Sequence, residues 1–239
     1  MLRANRHYKF SGRIADTNAL HSLSLAVDQT IAPIWVTVPG GQKVPQYAPT
    51  VTDSNNEFAP ATNCQGNFMS FRFQPNNNCY NYSCNVATNS FAQPGRMQGF
   101  FLPQNFTGAD VVKGATMDGL ILVGEAGTPF SALSRQKLDG TGHYVALLIS
   151  PADASVSWPG DYHWVRCDTA GAPFNSWSQK DGGDQVTNFD FAGAPISDPS
   201  VSNWTVNQGP MITNNPDDVV VSYNFFAWMY VPYGQVNII

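Results

Sequence analysis

Three residues in this chain have the types and order needed for nucleophilic chemistry. Cys79 sits in "NNNCYNYSCN" (76–85), directly behind a run of asparagines. His143 heads the apolar stretch "GHYVALLIS", and His163 lies in "GDYHWVRC". A thiol attacks well only as a thiolate, and a helix N-terminus or a neighbouring imidazole lowers its pKa. That imidazole needs a further group to orient its second nitrogen. Cys79 as nucleophile, His143 as base and His163 as orienter fill the three roles. The chemistry would be acyl transfer through a thioester.

The elements that must hold these residues can be read from local pattern. From Cys79 the apolar positions recur every three to four residues, Asn76 to Asn78 are N-cap candidates, and "QPGR" (93–96) is a stop. A helix is expected over about 79–90, with Cys79 in its first turn. Thr107 and Asp110 form a capping-box-like start for a second helix over about 107–119. A weaker helical stretch is "PFSALSRQKL" (129–138). Residues 143–150 are almost wholly apolar and predict a buried central strand. Residues 161–168 and 174–180 predict its neighbours, with "TAGAP" as the turn between them, and "DDVVVSYNFFAWMYVP" (217–232) predicts a strand that closes the sheet. Ahead of these, "HSLSLAVDQT" and "IAPIWVTVPG" read as strands, 45–65 as loop and "NFMSFRFQ" (67–74) as a short strand. The expectation is an α+β protein: a β/loop N-terminal arm over 1–65, then one domain over 66–239 with helices packed on an antiparallel sheet.

A cysteine opening a helix, followed by a histidine at the head of a strand and a polar residue on the next strand, resembles the papain-like cysteine hydrolases. The NlpC/P60 and CHAP amidase-peptidases are the most similar. The resemblance covers about residues 74–180. It implies a papain-like fold, Cys79 as nucleophile, His143 as base and His163 as orienter. It also implies an oxyanion donor, for which Gln74, five residues before the cysteine, is the candidate beside the Cys79 backbone N–H. An alternative makes His163 the base, with Gln179 or Asp168 as its partner. The implied partner is a peptide or peptidoglycan substrate, with no cofactor and no metal. The sequence departs from the pattern in the insert "SPADASVSWPG" between the two histidines and in the bulky Tyr144 after His143.

Composition narrows the class. Only 12% of the 239 residues are charged, about half the usual share, and the net charge is −5. No basic cluster is present, which argues against a nucleic-acid partner. No apolar run reaches the roughly 20 residues of a membrane span. The opening "MLRANRHYKFSGR" has no apolar stretch behind its basic residues and is not read as a secretory signal. A surface of Asn, Ser, Thr and Gly still suits an extracellular, effector-like or virion-borne protein. The cysteines Cys64, Cys79, Cys84 and Cys167 match no zinc spacing; if a disulfide forms, Cys64 with Cys84 is the expected pair. The acidic "DGGDQ" and "NNPDD" read as loop punctuation rather than calcium ligands. The glycan-acceptor patterns at Asn81, Asn105 and Asn203 carry no weight in a chain so rich in asparagine. The other function class is a non-catalytic virion, tail or surface-adhesion protein. In that class Trp158, Trp164, Trp177 and Trp204 would bind sugars or partners, with core packing expected for at least two of them.

Overall fold

The computed structural model describes residues 34–37, 43–47, 68, 74–133, 142–168, 177–184, 186–212 and 215–239, with backbone alone at 34–37, 43–47, 211–212 and 215–217. The Leu20–Val27 alternation, most of 48–73 including Cys64, the 134–141 segment, the "TAGAP" turn and 174–176 lie outside them. The protein is a mixture of helix and antiparallel sheet in which strands predominate.

The main sheet has the order β3-β10-β4-β5-β6-β7. Its strands are β3 (Ile121–Glu125), β4 (Gly142–Ser150), β5 (Asp161–Cys167), β6 (Trp177–Lys180), β7 (Val186–Thr187) and β10 (Asn224–Pro232). Every described pairing is antiparallel. The expected neighbours 143–150, 161–168 and 174–180 are therefore adjacent, β6 being described from Trp177. β4 is buried along almost its whole length, as an apolar run without alternation predicts. Two smaller antiparallel pairs are β1 (Ile34–Thr37) with β2 (Lys43–Tyr47), and β8 (Thr205–Ile212) with β9 (Asn215–Ser222).

The tail departs from the expectation. Residues 217–232 are two strands, not one. β9 pairs with β8, the chain breaks at Tyr223, and β10 inserts between β3 and β4 rather than closing an edge. Residues 121–125, unassigned in the sequence reading, form the edge strand β3. Val123 is an extra residue in its register against β10, between Leu122 opposite Met229 and Gly124 opposite Trp228. Such a bulge bends an apolar edge strand away from stray pairing.

Two helices lie on one face of the sheet. α1 (Cys79–Cys84) starts at Asn78, whose side chain accepts from the N–H groups of Tyr80 and Asn81, while the Asn81 side chain accepts from the Asn78 N–H. α1 is far shorter than the expected 79–90. Asn85 turns left-handed at φ 57° and caps it, a conformation that asparagine tolerates better than most residues. The chain then loops back, because Asn81 Nδ2 donates to Val86 O and Thr88 Oγ1 and its Oδ1 accepts from Ala92 N. α2 (Gly108–Met117) has the expected Thr107–Asp110 capping box. Gly114 lets it pack on the Pro94 carbonyl, where a Cβ would come within 2.6 Å. Of the stretch 129–138, Phe130–Ala132 forms a single 3-10 turn.

The sheet separates two cores. Cys79, Tyr80, Cys84, Val111 and Ala115 pack on Val145, Leu147, Tyr162, Trp164 and Met229 on the helix face. Tyr144, Ala146, Leu148, Val165, Cys167 and Trp228 face the other way, under Trp204, Val219 and Val221 from the 199–223 region. Truncating a fully buried residue such as Leu147 to alanine costs about 2–5 kcal/mol.

Candidate functional site

Cys79 is the first residue of α1 and is buried. Six residues make less than two turns, so the helix dipole available to its thiol is short. Its electrostatic neighbours include Tyr162 on β5, Lys180 at the end of β6 and Cys84. Burial first, and then the proximity of Cys79, push the Tyr162 hydroxyl well above its usual pKa. That hydroxyl donates to Gln93 Oε1, bridging the return loop to β5.

Lys180 is a fully buried cation. Its ammonium donates to Gln74 O at 2.6 Å, to Gly182 O at 2.9 Å and to Asn77 O. All three of its N–H bonds are thereby used, and the turn ahead of Cys79 is tied to the turn after β6. Burial brings its pKa from 10.5 down to about 7, opposed by the nearby Asp184 and Cys79.

Behind Cys79 lie two further buried polar groups. Tyr80 Oη donates to Asp118 Oδ2 at 2.8 Å, and Gly95 N donates to the same oxygen at 2.7 Å. Burial raises the Asp118 carboxyl despite these donors. It also raises the Cys84 thiol well above its ordinary value, with Asp118 adding to the effect. Under the C-terminal half of α1, Arg166 forms an ion pair with Asp168 at 3.1 Å and lies 4.0 Å from the centre of the Tyr82 ring. Ser178 Oγ donates to Asp168 Oδ1 at 2.8 Å and meets Tyr82 Oη at 2.7 Å. Burial takes the Asp168 pKa up to about 7 against the pull of Arg166.

The expected triad is not assembled. His163 lies on the sheet face opposite α1. It shares that face with Val165 and Cys167, its Nε2 meets Gln179 Oε1 at 2.8 Å, and Phe191, Trp204 and Tyr223 surround its ring. The whole sheet therefore separates it from Cys79. The alternative pairing of His163 with Gln179 does form, but on this far face, where Gln179 Nε2 also donates to Phe189 O. Asp168 is engaged with Arg166 and Ser178, not with His163. His143 is on the helix face, and its Nε2 donates to Ser83 O at 2.6 Å, one turn beyond Cys79. His143 thus meets α1 in its C-terminal half, four residues on from Cys79. Burial, with the Arg166 charge adding, holds His143 well below its usual pKa and therefore neutral. Gln74 is half-buried in the turn Gln74–Asn76, where its backbone carbonyl serves Lys180.

Two readings left open by the sequence are decided for the described residues. Cys84 is a buried thiol rather than half of a disulfide with Cys64. Trp158, Trp164, Trp177 and Trp204 are all buried, so none presents a face to a sugar or a partner. Trp158 and Trp204 direct their indole N–H groups to Ser150 Oγ and Pro199 O.

Among curated proteins, the chain is similar to "Insoluble matrix shell protein 1" of Ruditapes philippinarum. It is 36% identical over 180 residues, covering 70% of this chain and 95% of that protein. The chain belongs to the family of that protein. No protein-family model matches it, and no solved structure matches it.

In this family member the polar groups around α1 are mostly arranged to hold the fold. Asn78, Asn81, Asp118, Lys180 and the Arg166–Asp168–Ser178 group each bind backbone or one another at depth. The sequence reading missed Lys180, Tyr162, Asp118 and Arg166. The signal for Lys180 and Arg166 was a long cation inside a predicted buried strand, a position such residues occupy only when paired. Among the described residues, no group of three or more His, Cys, Asp or Glu side chains could hold a metal ion, and no helix is long and apolar enough to cross a membrane.

Proposed function

We propose that this protein is an exported, non-catalytic structural component of an extracellular matrix. The observation that carries the reading is its similarity along nearly the full length of a protein named as an insoluble shell matrix component. The sparse charge of the chain and its deeply interlocked polar groups fit such a role. The position of His163 on the sheet face away from Cys79 argues in the same direction. Among the expected sites of action, the extracellular one has this support and the virion has none from the relative. The test is fractionation of the producing organism with a specific antibody. The protein should be recovered outside the cells, in material that resists aqueous extraction. Recovery in the soluble intracellular fraction refutes the reading.

A second reading, a papain-like cysteine amidase or peptidase acting on a peptide or peptidoglycan bond, is favoured by one observation. Cys79 opens a capped helix on an antiparallel sheet with the Lys180 cation and the Tyr162 hydroxyl beside it. The thioester would form on Cys79, with His143 as the expected base and the nearby Lys180 charge stabilising the thiolate. Screening peptide and peptidoglycan substrates with wild type and Cys79→Ala separates the readings. Turnover by the wild type that the variant lacks would establish the enzyme.

A further inference from the structure

The chain contains three Asn-x-Ser/Thr patterns, at Asn81, Asn105 and Asn203. The fold treats them differently. Asn81 is fully buried, and both ends of its amide are bonded: Nδ2 to Val86 O and Thr88 Oγ1, Oδ1 to the N–H groups of Asn78 and Ala92. A glycan there would remove the bonds that hold α1 to its return loop, and its bulk would have no path to solvent. Asn105 is exposed in the turn leading into α2, and Thr107 at the third position is exposed as the helix cap. Asn203 is exposed at the entry to β8. Its Oδ1 accepts from the Thr205 N–H at 3.0 Å, so its side-chain carbonyl closes the Asn-x-Thr turn while Nδ2 makes none of the described hydrogen bonds. Trp204 between them is buried, which fixes the direction in which Asn203 leaves the surface.

From this we infer that Asn105 and Asn203 are N-glycosylation sites and that Asn81 is not. The inference rests on the extracellular reading proposed above, because the co-reactant, a lipid-pyrophosphate-linked oligosaccharide, is met only on the secretory route. The side-chain amide nitrogen bonds to C1 of the sugar. The C1–oxygen bond breaks with its electron pair going to the lipid pyrophosphate, and the amide proton is lost to a base. Both sites lie away from Cys79 in sequence and from the described bonds of Lys180, so the modification leaves α1 and its anchors untouched.

The test expresses the full chain behind a cleavable secretion signal in animal cells. The protease-resistant protein from medium and cells is treated with peptide N-glycosidase in heavy-oxygen water, and each formerly glycosylated asparagine is mapped as labelled aspartate. Label at Asn105 and Asn203 and none at Asn81 is expected. Asn105→Gln and Asn203→Gln should each remove one glycan's worth of gel shift, and together all of it. Label at Asn81 in folded material overturns the inference, and so does its absence from Asn105 or from Asn203. Because secretion is imposed, this outcome is independent of the fractionation test. A protein that is glycosylated here but intracellular in its source sinks the matrix reading alone.

Discussion

Replacing Lys180 with methionine keeps the length of the side chain and removes its charge and three donors. In the native protein the ammonium serves Gln74 O, Asn77 O and Gly182 O. Asn77 O is buried and, left without a donor, costs about 1–3 kcal/mol; the part-buried Gln74 O and Gly182 O cost less, and the loss is partly offset because the buried charge is also gone. Net destabilisation at pH 7 is expected. The sharper result is the pH dependence. The folded pKa is about 7, against 10.5 for an ordinary lysine. Between these values the unfolded chain binds the extra proton, so stability must rise with pH across the window. From pH 7 to pH 9 the rise from this group is about 2 kcal/mol. Above pH 9 it is opposed by Cys84, Tyr80 and Tyr162, whose raised pKa values favour the unfolded state at alkaline pH. Urea denaturation of wild type and Lys180→Met at pH 7, 8 and 9 isolates the effect. The stability difference between the two proteins should widen by about 2 kcal/mol over that range. A constant or narrowing difference would refute the depressed pKa and the burial argument behind it.

Arg166→Met should be more damaging than the Arg166→Met/Asp168→Asn double variant. The single change strands a buried carboxylate at a cost of about 3–5 kcal/mol, and chemical denaturation of the three proteins reads the difference. Asn85→Ala should destabilise by about 1 kcal/mol and Asn85→Gly should be neutral or better, because position 85 is left-handed; thermal unfolding checks both. His143 is held neutral by burial, so the unfolded chain takes up a proton below its ordinary pKa of 6.5 and stability falls as pH drops through that point. His143→Gln, which can still donate to Ser83 O, should lose this component of acid sensitivity in a melting-temperature series from pH 7 to pH 5.

Much of the local structure was legible. Asn78 and Thr107 were readable as helix starts because a cap is a short-range hydrogen bond between residues two or three apart. The β4 strand was readable because its apolar content is dense, and β5 because apolar and polar residues alternate along it. The alternation along β5 also placed His163 on one face with Val165 and Cys167. The end of α1 was not legible, because the apolar spacing continued past Asn85 and only the return loop held by Asn81 forces the left-handed turn. Nor was the insertion of β10 into the middle of the sheet, since strand order depends on pairings between residues far apart in sequence. The candidate site turned on the same limit. Alternation says which residues share a face, but β5 is buried on both faces, so nothing in the pattern marks which one lies under α1. The sequence determined that His163 and Arg166 point in opposite directions. Only the packing of α1 decided that Arg166 lies beneath it and His163 does not, because that choice depends on how two separately formed elements bury their apolar surfaces against each other.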